Sequence, residues 1–381
     1  GLNADGLALG AGSDGSTVKG LIITRFDQDG IEVSSDGNLI VGNYVGTDGA
    51  VDLGNKSVGV NITGANNLVG GTTAATRNVV SGNDIAGVAI AGATATGNIV
   101  QGNWIGLAAN GLAAIGNGST IFSITVGNGV WIQSGATGNT IGGTTLAERN
   151  VISGNLDDGV EISNAPGNRI YGNWIGLSAA GTVTVGNGDV GVYIDNAAGN
   201  FIGGANAGEA NVIGGNNVGI GLSGSNAKSN IIQGNYIGTN AAQSADFGNN
   251  DGILIKSFLE FGGSSGDPSD NTLGGVNLGE GNVIAFSTSD GVLIANGAGN
   301  TIRGNAIYSN AGLGIDLGTT GVTINDADDP DTGANNLQNF PVLTAAITNG
   351  TQITIGGSIN TSANVSGIVI DFYATATGQL S

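Results

Sequence analysis

Cysteine, histidine and methionine are absent from the 381 residues, and proline occurs only 4 times. Those absences exclude disulfides, thiol chemistry, haem and zinc sites built on His or Cys, and every catalytic triad that needs an imidazole. Positive charge is nearly as scarce, with 9 Lys+Arg against 29 Asp+Glu and a net charge of −20. Such a surface repels phosphate backbones and anionic bilayers, so nucleic acid is excluded as a partner, while divalent cations and neutral polymers fit. The longest apolar runs, such as Leu21-Ile22-Ile23, are far too short to span a membrane. No initiator Met and no secretion-signal segment is present. The expectation is therefore a mature or excised piece of a longer precursor, acting outside the cell or at its surface.

Glycine, by contrast, occurs 74 times, against roughly 7% in an ordinary chain. It does not fall at every third place, which excludes collagen. Disorder is excluded too, because 40% of the residues are hydrophobic and only 10% charged. A four-residue pattern, Gly-apolar-x-apolar, explains the mixture. It opens at Gly30, Gly59, Gly87, Gly129, Gly159, Gly191, Gly219, Gly252 and Gly291, with weaker copies at Gly6 and Gly314, at intervals of 23 to 42 residues. The alternation within each copy is that of a half-buried strand.

Between these strands lie Asn-led segments of two alternating kinds. One reads Gly102-Asn103-Trp104-Ile105-Gly106 and the other Asn150-Val151-Ile152-Ser153-Gly154-Asn155. Each turn thus holds about three short strands separated by Gly or Asn corners, and the larger unit is two turns. Three strands per turn stacked in parallel register make an all-β coil of ten to eleven turns, with Gly or Asn expected in the left-handed conformation at each corner. Eleven levels at about 4.8 Å give a rod on the order of 50 Å long. A β-propeller needs about 40 to 50 residues per blade, more than most of these periods supply. Two long turns carry insertions, Leu112 to Thr125 and Leu259 to Ser269, expected as loops on one side of the coil.

The Asn-Val-Ile-Ser-Gly-Asn and Gly-Asn-Trp-Ile-Gly pairs, with Asn139-Thr140-Ile141-Gly142-Gly143 between turns, resemble the right-handed parallel β-helix repeats of large secreted bacterial surface proteins. That resemblance places the chain near the broad pectate-lyase-like superfamily and covers about residues 1–325. It implies the fold, while the superfamily hosts lyases, hydrolases, epimerases, tailspikes and adhesins alike. Residues 326–338 then read as an acidic linker loop. Residues 339–381 read as the start of an immunoglobulin-like sandwich or as strands covering the coil end, with strands at Ile353 to Ile355 and Ile368 to Phe372.

Three sets of side chains are candidates for function. Asp326, Asp328, Asp329 and Asp331 alternate in a turning segment and fit Ca2+, although the distal Glu of an EF-hand is missing; a solvated linker is the other reading. Tyr44, Trp104, Trp174 and Tyr236 occupy one place in every second turn. Strand alternation points them outward, two levels or roughly 9.6 Å apart, as a stacking track for a polysaccharide or as packing under the loops that return at Leu53, Ile115, Val185 and Phe247. The Asp157-Asp158-Gly159 and Asn250-Asp251-Gly252 segments superficially match polygalacturonase-like motifs, but they lie three turns apart, about 14 Å, beyond the roughly 6.5–9.5 Å of an inverting carboxylate pair. They read as corner caps. Arg77 and Arg149 hold equivalent repeat positions, which points to a structural role, and Lys256 and Glu260 adjoin the second insertion. No catalytic residue is assigned. The sequence therefore favours a non-enzymatic structural or adhesive β-helix that binds glycans or associates end to end, over a polysaccharide lyase, hydrolase or epimerase.

Overall fold

A computed structural model describes residues 3–121, 124–258, 263–318, 321–361 and 369–372. Three parallel sheets run the length of a coil. The first has eleven strands, from Leu7–Leu9 to Ile315–Leu317, and the second and third have ten each, from Thr17–Lys19 to Thr301–Arg303 and from Ile22–Ile23 to Ala306–Tyr308. Every strand pairs with its copies one turn before and after, so that Val130, Val160 and Val192 stack in register, as do Ile141 and Ile170 in the second sheet. Parallel crossovers take the right-handed sense, and the molecule is a right-handed parallel β-helix. All eleven copies of the Gly-apolar-x-apolar pattern open strands of the first sheet.

The two apolar residues of that pattern point inward. In one turn Val160 and Ile162 from the first sheet meet Ile170 from the second and Ile175 from the third, all fully buried. Repeated along the coil, they make one continuous apolar core. Aliphatic β-branched residues suit it because each packs on a like residue about 4.8 Å above and below.

The asparagines form three buried ladders. The first runs Asn38, Asn67, Asn98, Asn139, Asn168, Asn200, Asn230, Asn271, Asn300 and Asn335. At each step the Oδ1 of one residue accepts the backbone N–H of its predecessor, and in most steps also the Nδ2–H. Parallel ladders start at Asn43 and at Asn55. These corner asparagines, Asn335 apart, do not adopt the left-handed conformation expected of them. Their side chains, rather than their backbone freedom, are what the corners require. The third ladder is interrupted once, where Ser287 follows Asn249 and leaves a buried Oγ with no hydrogen-bond partner.

The insertions lie at different corners, which corrects the expectation of one side. The first forms an antiparallel hairpin, Ser119–Ile121 with Ile124–Val126, where the chain passes from the third sheet to the first. The second leaves the first sheet toward the second, and its residues 259–262 and Glu260 lie outside the described residues. Its Ser264 folds back two levels, donating from its N–H to Asp195 Oδ1 at 2.7 Å and from its hydroxyl to Asp195 Oδ2 at 3.0 Å.

At the C-terminal end a 3-10 turn, Ala334–Leu337, lies over the core. Ala334 is buried, Leu337 packs beside it, and Asn335 is the last rung of the first ladder. Val342–Thr348 and Ile353–Ser358 pair antiparallel beyond it. The strand expected at Ile368 to Phe372 is not seen in Val369–Phe372; Ile368 lies outside the described residues. Asp371 instead reaches the coil, accepting two bonds of 2.7 Å from Arg303. No described helix is long and apolar enough to cross a membrane.

Candidate functional site

The outward residues of the third sheet form a column in which aromatics alternate with valine: Tyr44, Val79, Trp104, Val151, Trp174, Val212 and Tyr236. The period of two arises because the odd and even loops differ. The rings are not equally open. Arg77 lies over Trp104, 4.4 Å from its centroid, and Arg149 over Trp174 at 4.2 Å. The tips of the following loops lie against the outer edges of the rings, so close that a Cβ on Gly181 would sit 2.6 Å from Trp174. Loop packing therefore accounts for Trp104 and for much of Trp174. Between Trp174 and Tyr236 the column opens into a groove of about 620 Å³ floored by those rings and Val212. Its walls are the 204–210 turn and the 240–242 loop, and Arg149 contributes the charged group among its lining residues.

A second cluster occupies the outer face of the first sheet. Asp157, Asp158 and Asp189 each bring a carboxylate oxygen within 4.8 Å of the others, the one such trio among the described residues. Asp157 and Asp189 stand two residues before the strand-opening glycines of successive turns, so strand stacking places them together. Glu161 lies beside them, in register between Trp131 and Tyr193, and accepts a hydrogen bond from Asn128 Nδ2. Burial pushes the Glu161 carboxyl up to about 7, with Asp195 and Asp157 adding to the rise against the Asn128 bond. Burial, and then Asp189, pushes Asp157 up to about 6. The sequence reading took Asp157 and Asp158 as corner caps and did not bring in Glu161 or Asp189; the shared offset from Gly159 and Gly191 is the signal that finds them.

Asp158 does cap: its Oδ1 accepts the Val190 N–H at 2.8 Å, as Asp29 Oδ1 accepts that of Val58 at 2.9 Å. Asp251 does the same for Asp290, three strands along the first sheet from Asp158, so the two do not meet. Among the described residues, Asp326, Asp328, Asp329 and Asp331 contribute no trio of converging carboxylates. Asp329 is already engaged by the Asn339 N–H at 3.0 Å and the Thr361 hydroxyl at 3.2 Å. Lys256 is exposed just past strand Asp251–Ile255.

Raised carboxyl pKa values link this cluster to stability. Glu161 rises from 4.5 to about 7 and Asp157 from 3.8 to about 6, so the folded state holds protons that the unfolded chain has released. Their stabilising share is complete below about pH 4 and is lost as pH climbs through 6 and 7, about 3 kcal/mol for the buried Glu161 and less for the more exposed Asp157, whose charge solvent screens. Unfolding midpoints in urea should therefore fall between pH 5 and pH 8. Glu161→Gln should flatten the fall, and an equal slope in that variant would disprove the assignment.

No described protein family matches the sequence, and no curated protein does. Among solved structures, the Dettilon tailspike protein (gp208) is similar at 16% identity over 79% of this chain and 47% of its own, with a TM-score of 0.43. The A-module of the Azotobacter vinelandii mannuronan C-5 epimerase AlgE6 is similar at 15% identity, covering 76% of this chain and 63% of that one, with a TM-score of 0.36. The periplasmic alginate epimerase AlgG, in a mutant form, is similar at 13% identity, covering 78% and 75%, with a TM-score of 0.37. This chain spans about half the length of the tailspike. Likeness at this distance carries no functional argument.

Proposed function

We propose that the chain is a non-enzymatic extracellular β-helix that holds a glycan against its third sheet. The groove between Trp174 and Tyr236 carries this reading. Its two rings stand two strands apart, roughly 9.6 Å, about the length of two linked sugars; Tyr236, which no arginine covers among the described residues, offers flat apolar surface to sugar C–H groups, and Trp174, under Arg149, offers the part of its ring that lines the groove. Electrophoresis through gels containing different polysaccharides tests it. At least one glycan should retard the protein, and Tyr236→Ala should reduce that retardation about tenfold with an unchanged melting temperature; equal retardation of the variant would overturn the reading.

One observation favours a second reading, a polysaccharide-active enzyme: burial, with Asp195 and Asp157 nearby, raises the Glu161 carboxyl to about 7, as suits a general acid or base. Incubation with neutral and uronic-acid polysaccharides, followed by reducing ends and by the ultraviolet absorbance of unsaturated products, decides between the two. Turnover abolished by Glu161→Gln would establish the enzyme and displace the first reading.

A further inference from the structure

The groove coincides with a break in the repeat: Trp104 and Trp174 carry a covering arginine, and Tyr236, like Tyr44, carries none among the described residues. Arg77 precedes Asn78 and Arg149 precedes Asn150 in equivalent turns. Each guanidinium covers the tryptophan one level on, and each Nε–H donates to the glycine two residues before that ring, Arg77 to the Gly102 carbonyl at 3.3 Å and Arg149 to the Gly172 carbonyl at 3.2 Å. In the next copy the residue before Asn211 is Ala210, the ring one level on is Tyr236, and the glycine is Gly234. All three line the groove. Among the described residues no arginine covers Tyr236 and no side chain donates to the Gly234 carbonyl.

A second break coincides with the first. Successive loops over the rings are joined by backbone bonds of 2.8 Å, from the Ala109 N–H to the Gly49 carbonyl and from the Ala179 N–H to the Gly111 carbonyl. The loop after Tyr236 makes no such bond to Gly181 among the described residues. At the tip position held by Gly111 and Gly181 it carries Gln243, with φ 54°. Loss of the guanidinium and loss of the loop contact together leave a slot over Tyr236 with Ala210 and the Gly234 carbonyl in its lining, while Arg149 lines the same groove over Trp174, two levels back.

We propose that this slot is a subsite for one neutral sugar residue of the glycan, a step that rests on the glycan-binding reading above. The C–H face of the sugar lies on Tyr236 where a guanidinium lies in the earlier copies. One hydroxyl donates to the Gly234 carbonyl, and Arg149, two levels back over Trp174, is left for a hydroxyl of the neighbouring sugar. Charge selects the class. An amino sugar would share the groove with the Arg149 cation, the charged group of its lining. A uronate would meet a chain of net charge −20, with Glu148 and Glu209 in the turns that carry Arg149 and Ala210. A polyol offers both donors and acceptors without either penalty.

The test rebuilds the repeat. Ala210→Arg supplies the missing guanidinium, which should fill the slot, leave the melting temperature unchanged or higher, and weaken retardation by a neutral polysaccharide at least tenfold. Ala210→Leu fills the slot without charge and should act likewise, which keeps the test open if the arginine variant folds poorly. Wild-type protein is run in parallel through neutral, uronate and amino-sugar gels, and against a short arginine-bearing peptide as competitor. Retardation by neutral glycan that both variants lose supports the subsite. Retardation that both variants keep, with Tyr236→Ala losing it, overturns the subsite and leaves the glycan-binding reading standing. Preference for uronate or amino sugar overturns the neutral class. Binding of the peptide with no retardation by any glycan overturns both readings, because the slot then takes a partner's arginine.

Discussion

Asn103→Ala should cost about 4–6 kcal/mol of stability, more than any surface substitution in the coil. Asn103 is fully buried. Its Oδ1 accepts from the N–H of Asn78 at 3.3 Å and from Asn78 Nδ2 at 2.9 Å, and its own Nδ2 donates to the Val69 and Gln101 carbonyls and to Asn150 Oδ1 at 2.9, 3.0 and 3.1 Å. Alanine removes all five bonds at once. It leaves a buried backbone N–H and a buried carbonyl without these partners, each worth roughly 1–3 kcal/mol, inside a wall of fully buried asparagines. Denaturant unfolding monitored by circular dichroism would read the loss, with Asn226→Ala, at an exposed corner, as the control. A cost below about 1 kcal/mol would show that the ladder is ornamental and that the apolar stack alone holds the turns.

The ladders also mark where the sequence was readable. Period and strand starts were legible because the Gly-apolar-x-apolar unit is local: Gly159-Val160-Glu161-Ile162 carries its whole message within four residues. The role of asparagine was only half legible. Asn98 and Asn139 recur at the right spacing, but recurrence does not distinguish a backbone that needs the left-handed region from a side chain that needs a neighbour one level on. Site geometry was harder still, since it depends on which residues of different turns share a column. Asp157 and Asp189 are 32 residues apart in the chain and meet because both stand two places before a strand-opening glycine. Ala210 matters only by contrast with Arg77 and Arg149. Both facts become visible once the turns are aligned on their glycines rather than read along the chain. The C-terminal segment has no repeat to align, and of the strand expected at Ile368 to Phe372 the described residues Val369–Phe372 are exposed and not in a strand: alternation marks an exposed segment as readily as a paired one when no neighbouring copy fixes the register.

Gly159→Ala should be as damaging as loss of a ladder rung, for a reason opposite to the usual one for glycine. Gly159 does not occupy the left-handed region; its neighbours exclude a side chain instead. A Cβ there would lie 2.6 Å from the carbonyl oxygen of Gly191, 2.7 Å from Ile175 Cγ2 and 2.9 Å from Asn187 Nδ2. The first of these is backbone of the next turn and cannot rotate away. Relief requires the strands to part where the Gly159 N–H donates to the Val190 carbonyl at 2.8 Å, so a cost of about 3–5 kcal/mol is expected. Gly199 makes the matching contrast, with φ 66° and nothing within 4 Å of its Cβ position. Gly199→Ala should cost only about 1–2 kcal/mol, the left-handed strain of an L-residue. If Gly199→Ala proved the more damaging, corner conformation rather than turn-to-turn contact would be the origin of the glycine requirement. Because each turn touches chiefly its neighbours, the damage in Gly159→Ala should stay local. Limited proteolysis should cut first in the turns on either side of residue 159, which carry Arg149 and Trp174, and leave a protected fragment of the later turns, whereas uniform cleavage along the chain would show that the coil unfolds as one unit.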